Sequence, residues 1–360
     1  MRVHNFGAGP AALPLGVLER IDEELLDFAG TGCSVLEISH RSPAYDRVHS
    51  QAISRLRSLV GGAEDHEILF MSGGARTQFS AVPLNLLSRG SRADYVTTGR
   101  WSELALAAAR GIGSVREVWS SRDSGFATVP PANSLQIDPA AVYVHYTSNN
   151  TIFGTQFPQP PGTGSVPLVC DMSSDILSRP LDVSPFGIVY AGAQKNLGPA
   201  GVTVVLIRKD LLQRAVEPPV DTLSYRLMAE KNSLLNTPPV FAIYAVGLVL
   251  EHLETTGGLP AAARRNTEKA AHIYETIDNS GGFYCGHAES ESRSNMNITF
   301  RLPSQDLEAL FLAAATEGGL VGLKGHRSVG GVRASLYNAV EMRSVEALAS
   351  FMIEFQRRRG

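Results

Sequence analysis

Cysteine is scarce in this chain. Cys33, Cys170 and Cys285 are the three among 360 residues, and they stand far apart. An odd, sparse set does not build a disulfide framework and fits a reducing compartment. None of the three has metal-ligand spacing, so no metal is expected. Long apolar runs are missing too. No stretch approaches roughly 18 uninterrupted apolar residues, so no membrane span is expected. The opening MRVHNFGAGPAALP has no charged segment leading into an apolar one and does not read as a signal peptide. Charge of one sign is nowhere concentrated. The net charge is -3, and the short cluster Arg357-Arg358-Arg359 reads as a solvated helix end. Nucleic acid is therefore not an expected partner, and a cytoplasmic location is expected.

What remains is an ordinary globular composition, 44% hydrophobic and 19% charged. The length favours two domains. Short apolar runs at 67–71, 93–97, 141–146, 166–170, 187–191 and 203–207 read as strands. Helical patterns at 76–87 and 101–110 lie between them. Strands alternating with helices and glycine-rich turns predict an α/β fold with a mostly parallel central sheet covered on both faces. Near residue 255 the pattern changes to a smaller α+β unit, with a helix over 260–278, a strand over 296–300, a helix over 305–317, a strand over 331–336 and a last helix over 344–358. The expected division is a large domain over 15–255 and a small one built from 1–14 and 256–360.

Lys195 follows the apolar strand Ile188-Val189-Tyr190-Ala191 and is flanked by glycines. An ammonium at the end of a core strand is costly, and desolvation would lower its pKa, as a carbonyl-attacking lysine needs. The other reading is a surface lysine in a loop. Asp171 ends the run Val166-Pro167-Leu168-Val169-Cys170. A carboxylate there could pair with a pyridinium nitrogen, or it could cap a helix starting at Met172-Ser173-Ser174. Ser72-Gly73-Gly74-Ala75-Arg76-Thr77-Gln78 follows a strand and opens a helix, a place that suits an anion. It is neither a P-loop nor the dinucleotide fingerprint. The three pieces together describe a pyridoxal-phosphate site.

Trp101, one of two tryptophans, could stack on a flat ring or pack a helix start. Ser39-His40-Arg41-Ser42 and the segment from Gly325 through His326, Arg327 and Arg333 could recognise carboxylate or phosphate, or make structural ion pairs.

Several motifs in order resemble the phosphoserine aminotransferases, fold-type-I pyridoxal-phosphate enzymes of the class-V group. They are Asn5-Phe6 through Gly9-Pro10, Glu37 through Arg41, DMSSDILSRP from Asp171 to Pro180, the segment from Gly192 to Gly201, Asn236-Thr237-Pro238-Pro239, and KGHRSVGGVR from Lys324 to Arg333. The resemblance implies pyridoxal 5'-phosphate held covalently by Lys195, with Asp171 on the ring nitrogen, Trp101 stacked on the ring and Thr151 near the ring hydroxyl. It implies Ala75, Arg76 and Gln194 at the phosphate, with Asn236 and Thr237 reaching it from the other subunit of a homodimer whose active site lies at the interface. It implies that Arg41 and Arg333, helped by His40, His326, Arg327 and Arg76, hold the substrates L-glutamate and 3-phosphohydroxypyruvate. Relatives in bacteria can also act on a phosphorylated four-carbon keto acid for pyridoxine synthesis. Many relatives read Gly-Gly-Gly-Arg-Gly-Gln where this chain has Gly73-Gly74-Ala75-Arg76-Thr77-Gln78, and a positive φ at Ala75 or Thr77 would be costly. Rival activities are an alanine–glyoxylate-type aminotransferase, a cysteine desulfurase, a non-catalytic cofactor carrier and a nucleotide-binding protein.

Overall fold

The computed structural model describes residues 2–131 and 133–360. A two-residue strand, β1 (His4–Asn5), precedes helices α1 (Leu15–Glu24) and α2 (Pro43–Leu59). Ser42 caps α2 by accepting from the Tyr45 N–H at 3.3 Å, with Pro43 in the first turn, where its missing N–H costs nothing. The alternating region then runs β2 (His66–Ser72), α3 (Ala75–Leu86), β3 (Arg92–Thr97), α4 (Arg100–Arg110), β4 (Ser114–Ser120) and β5 (Val144–Thr147). A short hairpin, β6 (Asn149–Asn150) and β7 (Thr155–Gln156), leads to β8 (Leu168–Asp171), β9 (Phe186–Gly192) and β10 (Val202–Arg208). Helices α5 (Lys209–Arg214), α6 (Tyr225–Glu230), α7 (Val240–Thr255) and α8 (Gly258–Asp278) follow. The last part is β11 (Cys285–Gly286), β12 (Asn297–Arg301), α9 (Gln305–Glu317), β13 (Leu320–Val321), β14 (Val332–Ser335) and α10 (Met342–Arg359). No described helix is long and apolar enough to cross a membrane.

The main sheet has seven strands in the order β2-β10-β9-β8-β5-β3-β4. β10 runs antiparallel to both neighbours, and the other pairings are parallel. β9 is buried along its whole length, as a strand covered on both faces should be. In β10 the two-residue period sorts the core. Val204 and Leu206 pack with α2 and α7 residues such as Leu56 and Leu250, whereas Val205 and Ile207 pack with Phe79 of α3 and Leu106 of α4. A third core joins α8, α9 and α10 to β12 and β14, and Phe6 from the N-terminal segment belongs to it. Its centre includes Phe300 and Phe311, edge to face at 6.0 Å, and each buried ring of this size contributes roughly 1.5–3 kcal/mol.

Two features depart from the sequence reading. β5 starts at Val144 rather than at 141, although the ladder continues upstream through Asp94 N–H to Tyr143 C=O at 3.0 Å. The edge strand β4 is an addition. Its SVREVWS sequence is half-buried and mixed, and it is anchored by the Arg116 fork on buried Asp94, at 3.0 and 2.7 Å.

β2, β3, β5, β8 and β9 all point the same way, so Ser72, Thr97, Thr147, Asp171 and Gly192 end on one sheet edge. That edge is where open α/β sheets form ligand crevices.

Candidate active site

A cavity of about 400 Å³ lies at this edge. Lys195 enters it from a tight turn after β9, in which the Ala193 carbonyl accepts from the N–H groups of Lys195, Leu197 and Gly198. The Nζ donates to Thr151 Oγ1 at 3.0 Å. Burial lowers the pKa of the amine, Asp171 acts against that, Arg333 adds to it and Asp175 opposes it, and together they leave the amine pulled down to about 8. A lysine so placed is partly neutral near physiological pH and can act as nucleophile or base.

Asp171 ends β8 and lines the same cavity, 5% exposed. Its Oδ1 accepts from the Ser173 N–H at 2.9 Å, closing a turn rather than capping a helix. Burial raises its pKa, while Ser173 and the Lys195 charge act against that. A cation beside it would hold the carboxylate ionised.

Helix α3 begins at this edge without a side-chain cap, so its first amides are free for an anion. The positive φ that the glycine turn needs falls on Gly73, at 96°. Ala75 and Thr77 sit inside the helix, so neither is strained. A Cβ at Gly74 would meet nothing within 4 Å, whereas one at Gly192 would come within 2.6 Å of Gln194 Oε1 and 3.3 Å of the Ala75 nitrogen. Gly192, Gln194 and the α3 amides therefore outline a small polar cradle. This cradle, the orphaned donors described next and the adjoining Lys195 and Asp171 suit a flat, phosphate-bearing aldehyde.

Trp101 lines the cavity from the first turn of α4, and its buried Nε1 has no partner among the described residues. Arg333, on β14, also reaches the cavity. One Nη donates to Thr151 C=O at 3.4 Å, and its buried Nε has no partner among the described residues. Burial lowers the Arg333 pKa, although a guanidinium remains charged at physiological pH. His326 stands at the same mouth, its pKa lowered by burial and then by Arg333, Arg327 and Arg100. The field there is strongly cationic.

The structure thus brings together Ala75, Arg76, Trp101, Thr151, Asp171, Gln194, Lys195, His326 and Arg333. Arg327 is exposed and outside the cavity lining. His40, Arg41, Asn236 and Thr237 are not brought in. His40 and Thr237 instead line a separate open groove with Pro238, Pro239 and Phe241. Several lining residues were not anticipated: Gly9, Thr147, Asn149, Ser173 and Ser174. Gly9, Ser173 and Ser174 lie within the quoted motifs, and Asn149 is two positions from Thr151, so motif membership was the available signal. Arg100 had none beyond its position beside Trp101.

The class-V aminotransferase family model matches residues 3–348. The chain is 57% identical over 357 residues to the phosphoserine aminotransferase of Geobacillus kaustophilus, covering 99% of each chain. Among solved structures it is similar to phosphoserine aminotransferase from Bacillus circulans subsp. alkalophilus, with a TM-score of 0.98, 52% identity and coverage of 100% of this chain and 99% of that one. It is also similar to the pyridoxal-phosphate-bound phosphoserine aminotransferase of Trichomonas vaginalis, with a TM-score of 0.90, 40% identity and coverage of 98% and 100%.

Proposed function

The chain belongs to the class-V aminotransferases and is a pyridoxal-phosphate-dependent transaminase, and from that premise we propose that it moves the amino group of L-glutamate to 3-phosphohydroxypyruvate, giving O-phospho-L-serine and 2-oxoglutarate. The observation that carries this reading is the single cavity in which Lys195 and Asp171 adjoin the α3 cradle and Arg333.

When bound, the cofactor supplies an aldehyde for the amino group and a protonated ring that draws electrons from the adjoining carbon. Lys195 Nζ would hold that aldehyde, and as a free amine it would take the proton from the substrate α carbon and return it one position along. Its lowered pKa, about 8, keeps enough neutral amine for both tasks. Thr151 Oγ1, 3.0 Å away, orients the amine between steps. The Asp171 carboxylate would hold the proton of the ring nitrogen, Trp101 would stack on the ring, and the amides of Ala75 and Arg76 with Gln194 would receive the cofactor phosphate.

Arg333 forks onto a substrate carboxylate. His326, among three guanidiniums, accommodates either the γ-carboxylate of glutamate or the phosphate of the acceptor. Amino-group storage between two substrates predicts ping-pong kinetics. His40, Arg41, Asn236 and Thr237 complete the site of a second copy, so the working form is a homodimer. The division into 15–255 and 1–14 with 256–360, and a cytoplasmic location, belong to the same reading.

Substrate choice is tested by offering glutamate with 3-phosphohydroxypyruvate, hydroxypyruvate, glyoxylate and a phosphorylated four-carbon keto acid. The reading expects kcat/KM to be highest for 3-phosphohydroxypyruvate, by about 100-fold over hydroxypyruvate, because a phosphate-shaped cationic mouth left unfilled loses charge-assisted bonds. Preference for glyoxylate would assign the chain to the alanine–glyoxylate type instead.

A further inference from the structure

Behind the cavity wall, three chain segments converge that carry the residues of the proposed chemistry. The first leaves Asp171 and turns through Ile176, Leu177 and Ser178, with Leu177 at a φ of 55°, unusual for a branched side chain. The second is the loop Lys195-Asn196. The third leaves Arg333 on β14 and runs through Leu336 to Val340.

Asn338 joins all three. Its backbone N–H donates to Asn196 Oδ1 at 3.0 Å, and its Nδ2 donates to Leu177 C=O at 2.9 Å. Its Oδ1 accepts from Asn266 Nδ2 at 2.8 Å. Asn266 also donates to Ser178 C=O at 2.9 Å, and Asn196 Nδ2 donates to Ile176 C=O at 3.0 Å. One turn further along α8, Lys269 is 2% exposed. Its Nζ donates to the carbonyls of Leu336, Tyr337 and Val340 at 2.9, 2.8 and 3.0 Å. Three carbonyl acceptors match three ammonium donors, so this buried cation is fully bonded. Burial favours losing its proton, but a neutral amine would leave carbonyls short of donors. The charged form therefore clamps the third segment to α8.

None of these groups lines the cavity that holds Asp171, Trp101 and Arg333; Asn196, Lys269 and Asn338 line a second cavity that Lys195 also borders. The amide of the half-buried Asn338 supplies two side-chain bonds, one to Leu177 C=O and one from Asn266 Nδ2, and removing it would break both.

We propose that Asn338 is a positioning residue of the transaminase: the asparagine hub it centres, backed by Lys269, fixes Lys195, Asp171 and Arg333 relative to one another. The inference rests on the reading of the site given above. It adds that alignment is set from behind, by residues that touch neither cofactor nor substrate. A misplacement of about 1 Å in such a site can cost on the order of 100-fold in rate.

The test compares wild type with Asn338→Ala and Asn266→Ala, each loaded with pyridoxal phosphate. Three quantities are read: kcat and KM for glutamate, the pH midpoint of the cofactor's visible band, and the unfolding temperature of the cofactor-free chain. The expected result for Asn338→Ala is a fall in kcat of about tenfold to 100-fold with KM changed less than about threefold, together with a displaced band midpoint. Asn266→Ala should move the same quantities in the same direction by less, and it carries the test if Asn338→Ala does not fold. Unchanged kcat and midpoint in both variants would overturn the inference, even if the unfolding temperature drops, because that pattern marks a purely structural contact. If wild type itself has no cofactor band, the underlying reading of the site fails, and the two failures are told apart.

Discussion

The cavity around Lys195 and the open groove around His40 and Thr237 are built in opposite ways. In the first, side chains from β5, β8, β14, α3 and α4 converge on one enclosed space, with Lys195 bonded to Thr151 and Asp171 turned by Ser173. In the second, His40 and the exposed Thr237 lie beside prolines and Phe241, with Arg41 and Asn236, their neighbours in sequence, also exposed. A site assembled by one fold encloses its charged groups and shifts their pKa values. Groups that on this account would serve another copy are left on the outside, open to solvent. The contrast separates the proposed proton-transfer machinery, which one chain holds, from anion recognition, which on this account a second copy completes.

The comparison can be broken from either side. The largest effect is expected for Lys195→Ala, which removes the nucleophile and base together; turnover should fall on the order of 10⁴-fold in a steady-state assay. Asp171→Asn removes the carboxylate that would hold the ring proton and should lower kcat on the order of 10³-fold, with cofactor still bound in the absorption spectrum. Arg41→Ala should raise KM about 50-fold if Arg41 serves a neighbouring copy. Mixing it with Lys195→Ala chains should then restore one of the two sites of each mixed dimer, about a quarter of all sites after random exchange of an equal mixture; mixtures no more active than their parents would confine the site to one chain. Trp101→Ala should weaken cofactor binding about tenfold in equilibrium dialysis, the worth of one aromatic stack. The smallest effect concerns pH. Neutral amine is the attacking form, so capture of pyridoxal phosphate by the cofactor-free chain should accelerate as pH rises through about 8, well below the range of an ordinary lysine. A midpoint above pH 10 would put the amine in water.

Much of the enclosed site was legible in the sequence. Asp171 ends an apolar run and Lys195 follows one, and strand ends in an α/β sheet face the crevice. The glycine turn before α3 marked the helix start that lines the cavity, and the strain that a positive φ at Ala75 or Thr77 would bring does not arise, because the positive φ falls on Gly73 at 96°. β4 was illegible because its period-two signal is blurred by Arg116 and Glu117, whose partners Asp94 and Thr97 lie some twenty residues away. Arg100 was missed because its closeness to His326 is created by packing between segments 226 residues apart in sequence. The asparagine hub is of the same kind. Asn196, Asn266 and Asn338 carry no local pattern, and their meaning exists only once α8 is laid against the loops. Local periodicity and motif order reach strand ends and turns; hydrogen bonds that close over long chain separations need the fold.

The most direct test is the visible spectrum of the cofactor-loaded chain during two successive additions. The account predicts that glutamate alone abolishes the visible band in a single half-reaction and that 3-phosphohydroxypyruvate restores it, while Lys195→Ala does neither at a comparable rate. A wild-type band that ignores glutamate, or a Lys195→Ala chain that cycles as fast as wild type, would contradict the assignment of Lys195 as the group that exchanges with substrate.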